Sequence, residues 1–312
     1  MNKVDNLRIA ITGASGFIGA RIVEYLNMTT QSHVNAVTRA FSSLGRLAEL
    51  NQERLTFCKA DICNRQSIGD AIKGCDIVIH CAYGSDGSEE ARWQTTVEGT
   101  RNLVEEAAKT GIRRIVHVST SAIHDTRGQK TLHEWSPILN TNDKSYESSK
   151  IAAENIVDQS QLEAVILRPT IVYGPWGKDW TTTPFTRLAK NVKGLPSGPG
   201  WGTCNAVYVD DVVRAVLSAC LTTNLGSFII ASDTPVTWGD FYDSFRKTLK
   251  IDPNTEAGDI EAWELELYKD SAVANTARAE TQLGYRSSVS FAVGMQRVQE
   301  WAKWYGLINQ AI

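Results

Sequence analysis

Residues 12–19 read Thr-Gly-Ala-Ser-Gly-Phe-Ile-Gly, between an apolar run at 7–11 and a helical pattern that begins at Phe17. Three small glycines in such a turn let the backbone approach a pyrophosphate, and the N-terminus of the following helix supplies N–H donors. Many loops carry glycines for steric reasons alone, so the motif is weak in isolation. Its place between a strand and a helix favours a dinucleotide-binding loop.

The alternation of short apolar runs and helical patterns continues through the first half of the chain. It is typical of β-α-β units, and therefore of an α/β fold with a doubly wound parallel sheet of the Rossmann type. The predicted strands are 7–11, 33–37, 55–59, 77–80, 115–118 and 164–167. The predicted helices are 17–28, 43–51, 67–73, 89–110 and 146–159.

The regular alternation ends after Arg168 and Pro169. We therefore predict a dinucleotide-binding domain over residues 1–170, with a return segment near 203–232, and a smaller, mainly substrate-binding lobe over 171–312. Residues 174–202 are rich in glycine and proline, which predicts a long loop with one short helix near 185–193. Later patterns predict a strand followed by a helix over 207–220, a strand at 228–231, a helix that begins at 238 and helices at 275–282 and 291–304.

The composition of the 312 residues is that of a globular protein, with 42% hydrophobic and 21% charged residues. A formal charge of −3 provides no positive field for a phosphate backbone, so no nucleic-acid partner is expected. No apolar run approaches the roughly 20 residues of a membrane span or forms a signal peptide, so we expect a cytoplasmic protein. Six cysteines without C-x-x-C spacing indicate reduced thiols, and the histidine spacing predicts no metal site.

Thr38 and Arg39 follow the second predicted strand, at the position where NAD-specific folds place a carboxylate. A guanidinium there can pair with a 2′-phosphate, so NADP is favoured over NAD, with Arg46 as a second candidate contact. Alternatively, Arg39 stacks on the adenine or extends into water. Asp61 follows the third strand, where it could accept from the adenine amino group or act as a turn or cap residue.

Tyr146 and Lys150 are four residues apart, so a helix that begins here carries both on one face. A neighbouring cation favours the phenolate and so brings the phenol towards acid/base use at neutral pH. Ser119, Thr120 and Ser121 follow the fifth strand, at the edge where doubly wound sheets bind ligands. One of these hydroxyls could hold a substrate oxygen, or all three could cap a turn.

Together these motifs resemble the extended branch of the short-chain dehydrogenase/reductase superfamily, in its NAD(P)-dependent epimerase/dehydratase family. The resemblance extends over nearly the whole chain. It is carried by TGASGFIG at 12–19, Asp61-Ile62, VIHCA at 78–82, TVEGTRNLVEEA at 96–107, STS at 119–121, YESSK at 146–150, LRPTIVYGP at 167–175, VYVDD at 207–211 and LGYR at 283–286.

The resemblance implies catalytic roles for Thr120, Tyr146 and Lys150, with Ser121 as a neighbour that could replace Thr120. Tyr146 would donate or accept the proton, while Lys150 would bind the nicotinamide ribose and lower the phenol pKa. The helices at 89–110 and 146–159 form a dimer face in many relatives, so we expect a homodimer. The implied cofactor-binding residues are Gly13, Ser15, Gly16, Phe17, Ile18, Arg39, Asp61, Ile62, Ala82, Tyr83, Tyr146, Lys150, Pro169 and Val172.

Three departures from the family pattern concern the substrate more than the chemistry. Thr96 replaces a frequent Asn, residues 123–125 read Ile-His-Asp in place of Val-Tyr-Gly, and Cys204 stands where nucleotide-sugar enzymes carry a diphosphate-binding Arg. The first hypothesis is an NAD(P)-dependent oxidoreductase or epimerase of a nucleotide-linked sugar. The second hypothesis keeps the cofactor and replaces the substrate by an apolar ketone or aldehyde, as in relatives similar to steroid dehydrogenases or dihydroflavonol reductases. A non-catalytic cofactor-binding protein is the third.

The tryptophans divide into two predicted groups. Those in the long loop could form an apolar lid over a substrate or anchor the loop, whereas the pair on the last helix is predicted to lie in the core. The loop group is Trp176, Trp180 and Trp201, and the helix pair is Trp301 and Trp304.

Overall fold

The computed structural model describes residues 4–253 and 258–308. Within these ranges no helix is long and apolar enough to span a bilayer. The strands are β1 Arg8–Thr12, β2 His33–Thr38, β3 Leu55–Lys59, β4 Ile77–His80, β5 Arg114–Val118, β6 Thr131–Leu132, β7 Glu163–Pro169, β8 Ile171–Tyr173, β9 Thr203–Cys204, β10 Ala206–Tyr208, β11 Gly226–Ile230, β12 Val236–Thr237 and β13 Val273–Ala274.

Eleven α-helices are found in the described part of the chain. They are α1 Phe17–Thr29, α2 Arg65–Ile72, α3 Glu89–Trp93, α4 Gly99–Lys109, α5 Tyr146–Asp158, α6 Thr183–Ala189, α7 Val209–Leu221, α8 Trp238–Leu249, α9 Ala262–Lys269, α10 Ala277–Leu283 and α11 Phe291–Trp304. Short 3₁₀ turns lie at Phe41–Leu47, Gln52–Arg54 and Ser121–Ile123, and π turns at Gln94–Glu98 and Lys178–Thr182.

Seven parallel strands form the central sheet, in the order β11-β7-β5-β4-β1-β2-β3. Side chains of α1 and α7 pack on one face of the sheet, and those of α2, α4 and α5 pack on the other. Because both faces are covered, β4 and β5 are buried along their whole length. The predicted doubly wound α/β fold is confirmed.

The strand register determines which residues meet at the carboxyl edge of the sheet. Thr12 at the end of β1 pairs with Val37 on one side and His80 on the other, and His80 pairs with His117 on β5. The segments that follow these strands, which contain the glycine turn, Arg39, Ala82 and Thr120, therefore leave the sheet at one edge. Doubly wound sheets bind ligands at this edge.

A second hydrophobic core forms from residues after β7, and it is dominated by aromatic side chains. Trp238, Phe241 and Tyr242 of α8 are fully buried in it, together with Tyr173 and Tyr268. Full burial of one large apolar side chain stabilises a fold by about 1.5–3 kcal/mol. This core holds the long loop and the C-terminal helices together.

Several local predictions are wrong. The helix predicted at 43–51 is a 3₁₀ turn, and the helix predicted at 89–110 is divided by the π turn at 94–98. α9 has no counterpart among the predicted helices, because its pattern of apolar and acidic residues is weak. Trp304, predicted as core, is 73% exposed, since Trp301 takes the inward position at the end of α11.

Candidate active site

The glycine turn between β1 and α1 has no room for side chains at two positions. Gly13 has a φ of +69°, and a Cβ there would lie 2.8 Å from the backbone nitrogen of Ala82. A Cβ on Gly19 would lie 2.2 Å from the Gly13 carbonyl oxygen. The turn is thus held tightly against the segment after β4, and its sequence follows from steric necessity.

The N-terminus of α1 suits an anion. Gly16 occupies the N-cap, no side chain caps the helix, and its first turn contains no acidic residue. N–H groups that no side chain satisfies carry a partial positive charge of the helix dipole. A pyrophosphate at this end would supply the missing acceptors.

A crevice extends from the glycine turn along the carboxyl edge of the sheet. Seven of the predicted cofactor residues line it: Gly13, Ser15, Gly16, Arg39, Ile62, Ala82 and Tyr83. Lining residues that the sequence analysis missed are Thr12, Val37, Thr38, Ala60, Ile68, Cys81, Ser85 and Thr95. Most of these follow directly from the ends of β1 to β4, so the strand-end rule could have identified them. Thr95, on the π turn, could not be found that way.

The groove beside the end of β2 is polar and contains Arg39. Arg39 is exposed. The Thr38 hydroxyl donates to the Ser15 hydroxyl at 3.3 Å and lies 3.1 Å from the Ser43 hydroxyl. Arg46 is not available here, contrary to the prediction. Its guanidinium pairs with both carboxylate oxygens of Glu24 and lies 5.5 Å from the Trp176 ring centroid.

Asp61 and Ile62 follow β3 but face different surroundings. The Asp61 carboxylate accepts from the Cys63 backbone N–H at 2.9 Å, which is the turn contact that the sequence left open. Ile62 is buried, and a Cβ on Gly99 of α4 would lie 2.6 Å from its Cγ2 atom. Ile62 thus forms an apolar wall of the crevice, close to α4.

The remaining predicted cofactor residues lie beside the crevice lining. Phe17 and Ile18 are half-buried at the start of α1, where they pack against the aromatic core. Pro169 ends β7 and pairs with Ile230, while Val172 on β8 packs against both hydrophobic cores. These four positions are not part of the crevice lining.

Tyr146 is the first residue of α5, directly after Ser145, whose hydroxyl caps the helix by accepting from the Ser148 N–H. The Tyr146 side chain is 44% exposed at the surface, and the Thr120 hydroxyl is near enough to influence the phenol. Burial raises the pKa of Tyr146 above its ordinary value, while the Thr120 contact opposes this. The pKa of the phenol therefore lies above its ordinary value in this arrangement, and the lowering by Lys150 that the resemblance implies stays a prediction.

Lys150, one helical turn further along α5, is only 3% exposed. Its Nζ donates to the Val118 carbonyl at 3.0 Å and lies 5.5 Å from the Tyr83 ring centroid. Burial lowers the pKa of Lys150 to about 8, although Glu154 and Cys81 favour the ammonium. Tyr83 also packs edge-on against Tyr146, with ring centroids 6.0 Å apart. Tyr83 therefore connects the crevice with Tyr146 and Lys150.

Two buried histidines lie next to this group. His80 bridges Thr12 and Thr100 through its two ring nitrogens, at 2.8 and 2.9 Å. Its ring centroid is 4.9 Å from that of His117. Burial lowers the pKa of both imidazoles, that of His80 to about 3, so both are neutral. In the described residues, no group of three or more His, Cys, Asp or Glu side chains is placed to hold a metal ion.

Thr96, which replaces the frequent Asn, still makes a hydrogen bond: its hydroxyl accepts from the Gly84 N–H at 2.9 Å. It thereby holds the segment that carries Tyr83. A second buried network that the sequence did not reveal joins Arg168 on β7 to both carboxylate oxygens of Glu154 on α5. His124 lies 3.2 Å from the same guanidinium. These contacts hold α5 against the end of β7.

The position where related enzymes carry a diphosphate-binding Arg is apolar. Cys204 is fully buried, and burial raises the pKa of its thiol. The amide of the next residue, Asn205, bonds to the Ala272 carbonyl and the Ala274 N–H. Neither side chain therefore offers a charged group to a ligand.

The loop tryptophans match the anchoring interpretation. Trp180 packs on Trp238 with ring centroids 5.3 Å apart, and Trp201 packs edge-on against Tyr268 at 6.4 Å. Trp176 contacts Trp301 on the last helix at 5.7 Å. These contacts attach the loop to the aromatic core.

The fold and this edge define an enzyme of the extended short-chain dehydrogenase/reductase type, with an open crevice at the carboxyl ends of the parallel strands. The model of the NAD dependent epimerase/dehydratase family matches residues 9–228. The chain belongs to this family.

Two relatives with different activities resemble the chain over most of its length. Cinnamoyl-CoA reductase 1 of Petunia hybrida is 27% identical over 289 residues, 87% of this chain and 86% of the relative. The dTDP-glucose 4,6-dehydratase of Streptomyces niveus is 25% identical over 319 residues, 95% of this chain and 92% of the relative.

Solved structures share the fold. A dTDP-glucose 4,6-dehydratase of Streptomyces venezuelae, in a complex with NAD, superposes with a TM-score of 0.82 at 22% identity, over 97% of this chain and 99% of that one. The UDP-glucuronic acid 4-epimerase of Bacillus cereus, also in complex with NAD, gives 0.79 at 20% identity, over 96% of this chain and 99% of that one.

Proposed function

We propose that the protein is an NAD(P)-dependent oxidoreductase or epimerase of a secondary alcohol or ketone, with Tyr146 as its acid/base. One observation carries this proposal: Tyr83 lines the dinucleotide crevice and contacts both Tyr146 and Lys150. Tyr146 thus lies one ring contact away from the crevice lining, and the Thr120 hydroxyl is near enough to influence its pKa. A bound nicotinamide would supply or accept the hydride.

The side chains of this group have distinct tasks in such a reaction. Thr120 holds the substrate oxygen beside Tyr146, whose hydroxyl moves the proton to or from that oxygen. Lys150 offers its ammonium to the nicotinamide ribose and to the phenol. Because burial raises the pKa of Tyr146, the phenol is in the donor form, which suits carbonyl reduction.

A Tyr146→Phe substitution tests this assignment. We expect turnover to fall by a factor of about 10³ or more, in the range for removal of a general acid, while cofactor binding is retained. Tyr305→Phe, at a half-exposed tyrosine that follows α11, is the matched control. Turnover of Tyr146→Phe at the wild-type rate would refute the proposal, and cofactor binding without hydride transfer to any substrate would favour a non-catalytic protein.

The substrate has two candidate classes. A nucleotide-linked sugar is supported by the similarity to dTDP-glucose 4,6-dehydratases, and an apolar ketone or aldehyde by the similarity to cinnamoyl-CoA reductases. The geometry favours the second class. Cys204 provides no cation for a diphosphate.

A ligand panel distinguishes these classes. In the presence of the cofactor, aromatic and aliphatic ketones and aldehydes should raise the melting temperature, whereas UDP-, dTDP- and GDP-sugars should not. If one nucleotide sugar raised the melting temperature and the corresponding free sugar did not, the nucleotide-linked sugar would become the favoured substrate class.

NADP is our proposed cofactor in preference to NAD. The support is the exposed Arg39 guanidinium beside the Thr38 and Ser43 hydroxyls, with no carboxylate at the end of β2.

Free thiols at all six cysteines support a reducing compartment, the cytoplasm. We also propose a homodimer through α4 and α5, which pack side by side, and light scattering at several concentrations tests this mass.

A further inference from the structure

Tyr83 has a side chain that the family resemblance leaves without a task, since the resemblance concerns only its backbone. Its ring is 40% exposed and lies in the segment after β4, where the Thr96 hydroxyl accepts from the next residue's N–H. One side of the ring faces the Lys150 Nζ, 5.5 Å from the centroid, and Tyr146 packs against it at 6.0 Å.

The other groups that act on the Lys150 ammonium come from the strands and from α5 itself. Val118 on β5 accepts its hydrogen bond, and Glu154 on α5 and Cys81 after β4 favour its charge. His80 and His117 face the ammonium from β4 and β5. Burial disfavours protonation of both imidazoles, and the charge of the Lys150 ammonium disfavours it further. Tyr83 is thus an aromatic contact of the Lys150 ammonium that also belongs to the crevice lining.

We propose that the Tyr83 ring is a positioning residue, which covers the Lys150 ammonium with its π face and supports the Tyr146 phenol at the crevice end. The catalytic consequence rests on the proposed function of Tyr146 and Lys150. The contact between the Tyr83 ring and the Lys150 ammonium does not rest on that function, because it involves only these two groups.

The ring affects the ammonium in two opposite ways. It excludes water, which disfavours the charge, and its electron-rich face attracts the cation, which favours it. An alanine removes both effects and admits water, so the Lys150 pKa should rise. A leucine keeps the apolar cover without the π face, so the pKa should fall. A phenylalanine keeps both effects.

A ¹³C NMR titration of lysine-labelled protein measures these shifts directly, with the Lys150 Cε signal assigned by its loss in Lys150→Met. We expect Tyr83→Ala to raise the Lys150 pKa by about one unit or more, Tyr83→Leu to lower it, and Tyr83→Phe to leave it within a few tenths. Tyr305→Ala, remote from the crevice, should not move it. Equal values in wild type, Ala and Leu variants, or a Phe value equal to the Ala value, would overturn the proposal.

Kinetics then test the catalytic consequence. Tyr83→Ala should lower kcat about tenfold and move the alkaline limb of its pH profile upward, and Tyr83→Phe should recover most of the loss. An unchanged kcat and pH profile in Tyr83→Ala would contradict the positioning role. Because the NMR titration needs no turnover, it still decides the question of the cover if Tyr146→Phe proves fully active.

Discussion

The glycine turn at 12–19, where we propose the cofactor, and the strand around Cys204, which the resemblance relates to the substrate, are built in opposite ways. The turn presents backbone N–H groups, so its sequence alone indicates what it binds. Cys204 presents no polar group and is fully enclosed by the aromatic core. The comparison teaches that the proposed cofactor side is encoded by local sequence, whereas the proposed substrate side depends on packing between distant segments.

The sharpest test of this contrast is Cys204→Arg, which restores the residue type of nucleotide-sugar enzymes. Since the side chain is fully buried, we expect a loss of roughly 3 kcal/mol or more in stability, from overpacking and an unpaired charge. Urea unfolding measures it. Thr203→Arg, at the half-buried neighbour, is the control and should cost much less. A stable Cys204→Arg protein that gains affinity for UDP-sugars would break the comparison.

Gly19→Val tests the cofactor side. Its Cβ would lie 2.2 Å from the Gly13 carbonyl, so the turn must shift, and we expect cofactor affinity to fall by about 100-fold or more. Titration of cofactor fluorescence measures this loss. Gly45→Ala is the control, because a Cβ there meets no atom within 4 Å. Unchanged affinity in Gly19→Val would show that the turn does not hold the dinucleotide.

Arg39→Asp sharpens the comparison at the adenosine end. The carboxylate should repel a 2′-phosphate and accept from a 2′-hydroxyl, so we expect the ratio of NADP to NAD affinity to fall about tenfold or more. The ratio is obtained from the two dissociation constants. Arg113→Ala, at an exposed and distant arginine, should leave the ratio unchanged. The same ratio in wild type and Arg39→Asp would place Arg39 outside the 2′-position.

The smallest expected effect concerns the free energy of unfolding, which is reduced because the Lys150 ammonium is buried. Because its pKa is about 8 when folded and ordinary when unfolded, the unfolded chain binds more protons between these values. The cost is therefore complete below pH 8 and disappears as the pH rises towards the ordinary lysine pKa of about 10.4. We expect Lys150→Met to be more stable than wild type by about 1 kcal/mol or more at pH 7, with the difference declining above about pH 8.

Urea unfolding of both proteins at several pH values checks this last expectation. The difference between them isolates Lys150, because the other groups titrate in both. A constant difference from about pH 7 to about pH 10 would mean that the Lys150 pKa is not lowered in the folded protein. Lys150→Met should at the same time lose turnover, since it lacks the ammonium.

Much of the fold and part of the site can be predicted from local patterns. The strands at 55–59 and 77–80 match the prediction to the residue, because each is an apolar run between clear breaks. The crevice residues of the glycine turn follow from a motif with a steric reason. The engagement of Arg46 by Glu24 is not predictable in this way, since no spacing rule relates a 3₁₀ turn to the face of α1.

By itself, the sequence determined the parallel sheet, the tight glycine turn and the placement of Tyr146 and Lys150 one turn apart on the same helix, because each depends on neighbours within a few residues. Only the tertiary structure decided that burial raises the pKa of the phenol, that Tyr83 contacts both of these side chains and that Cys204 is enclosed. Desolvation and contact arise when segments far apart in the chain meet, and no local pattern records the distance between them.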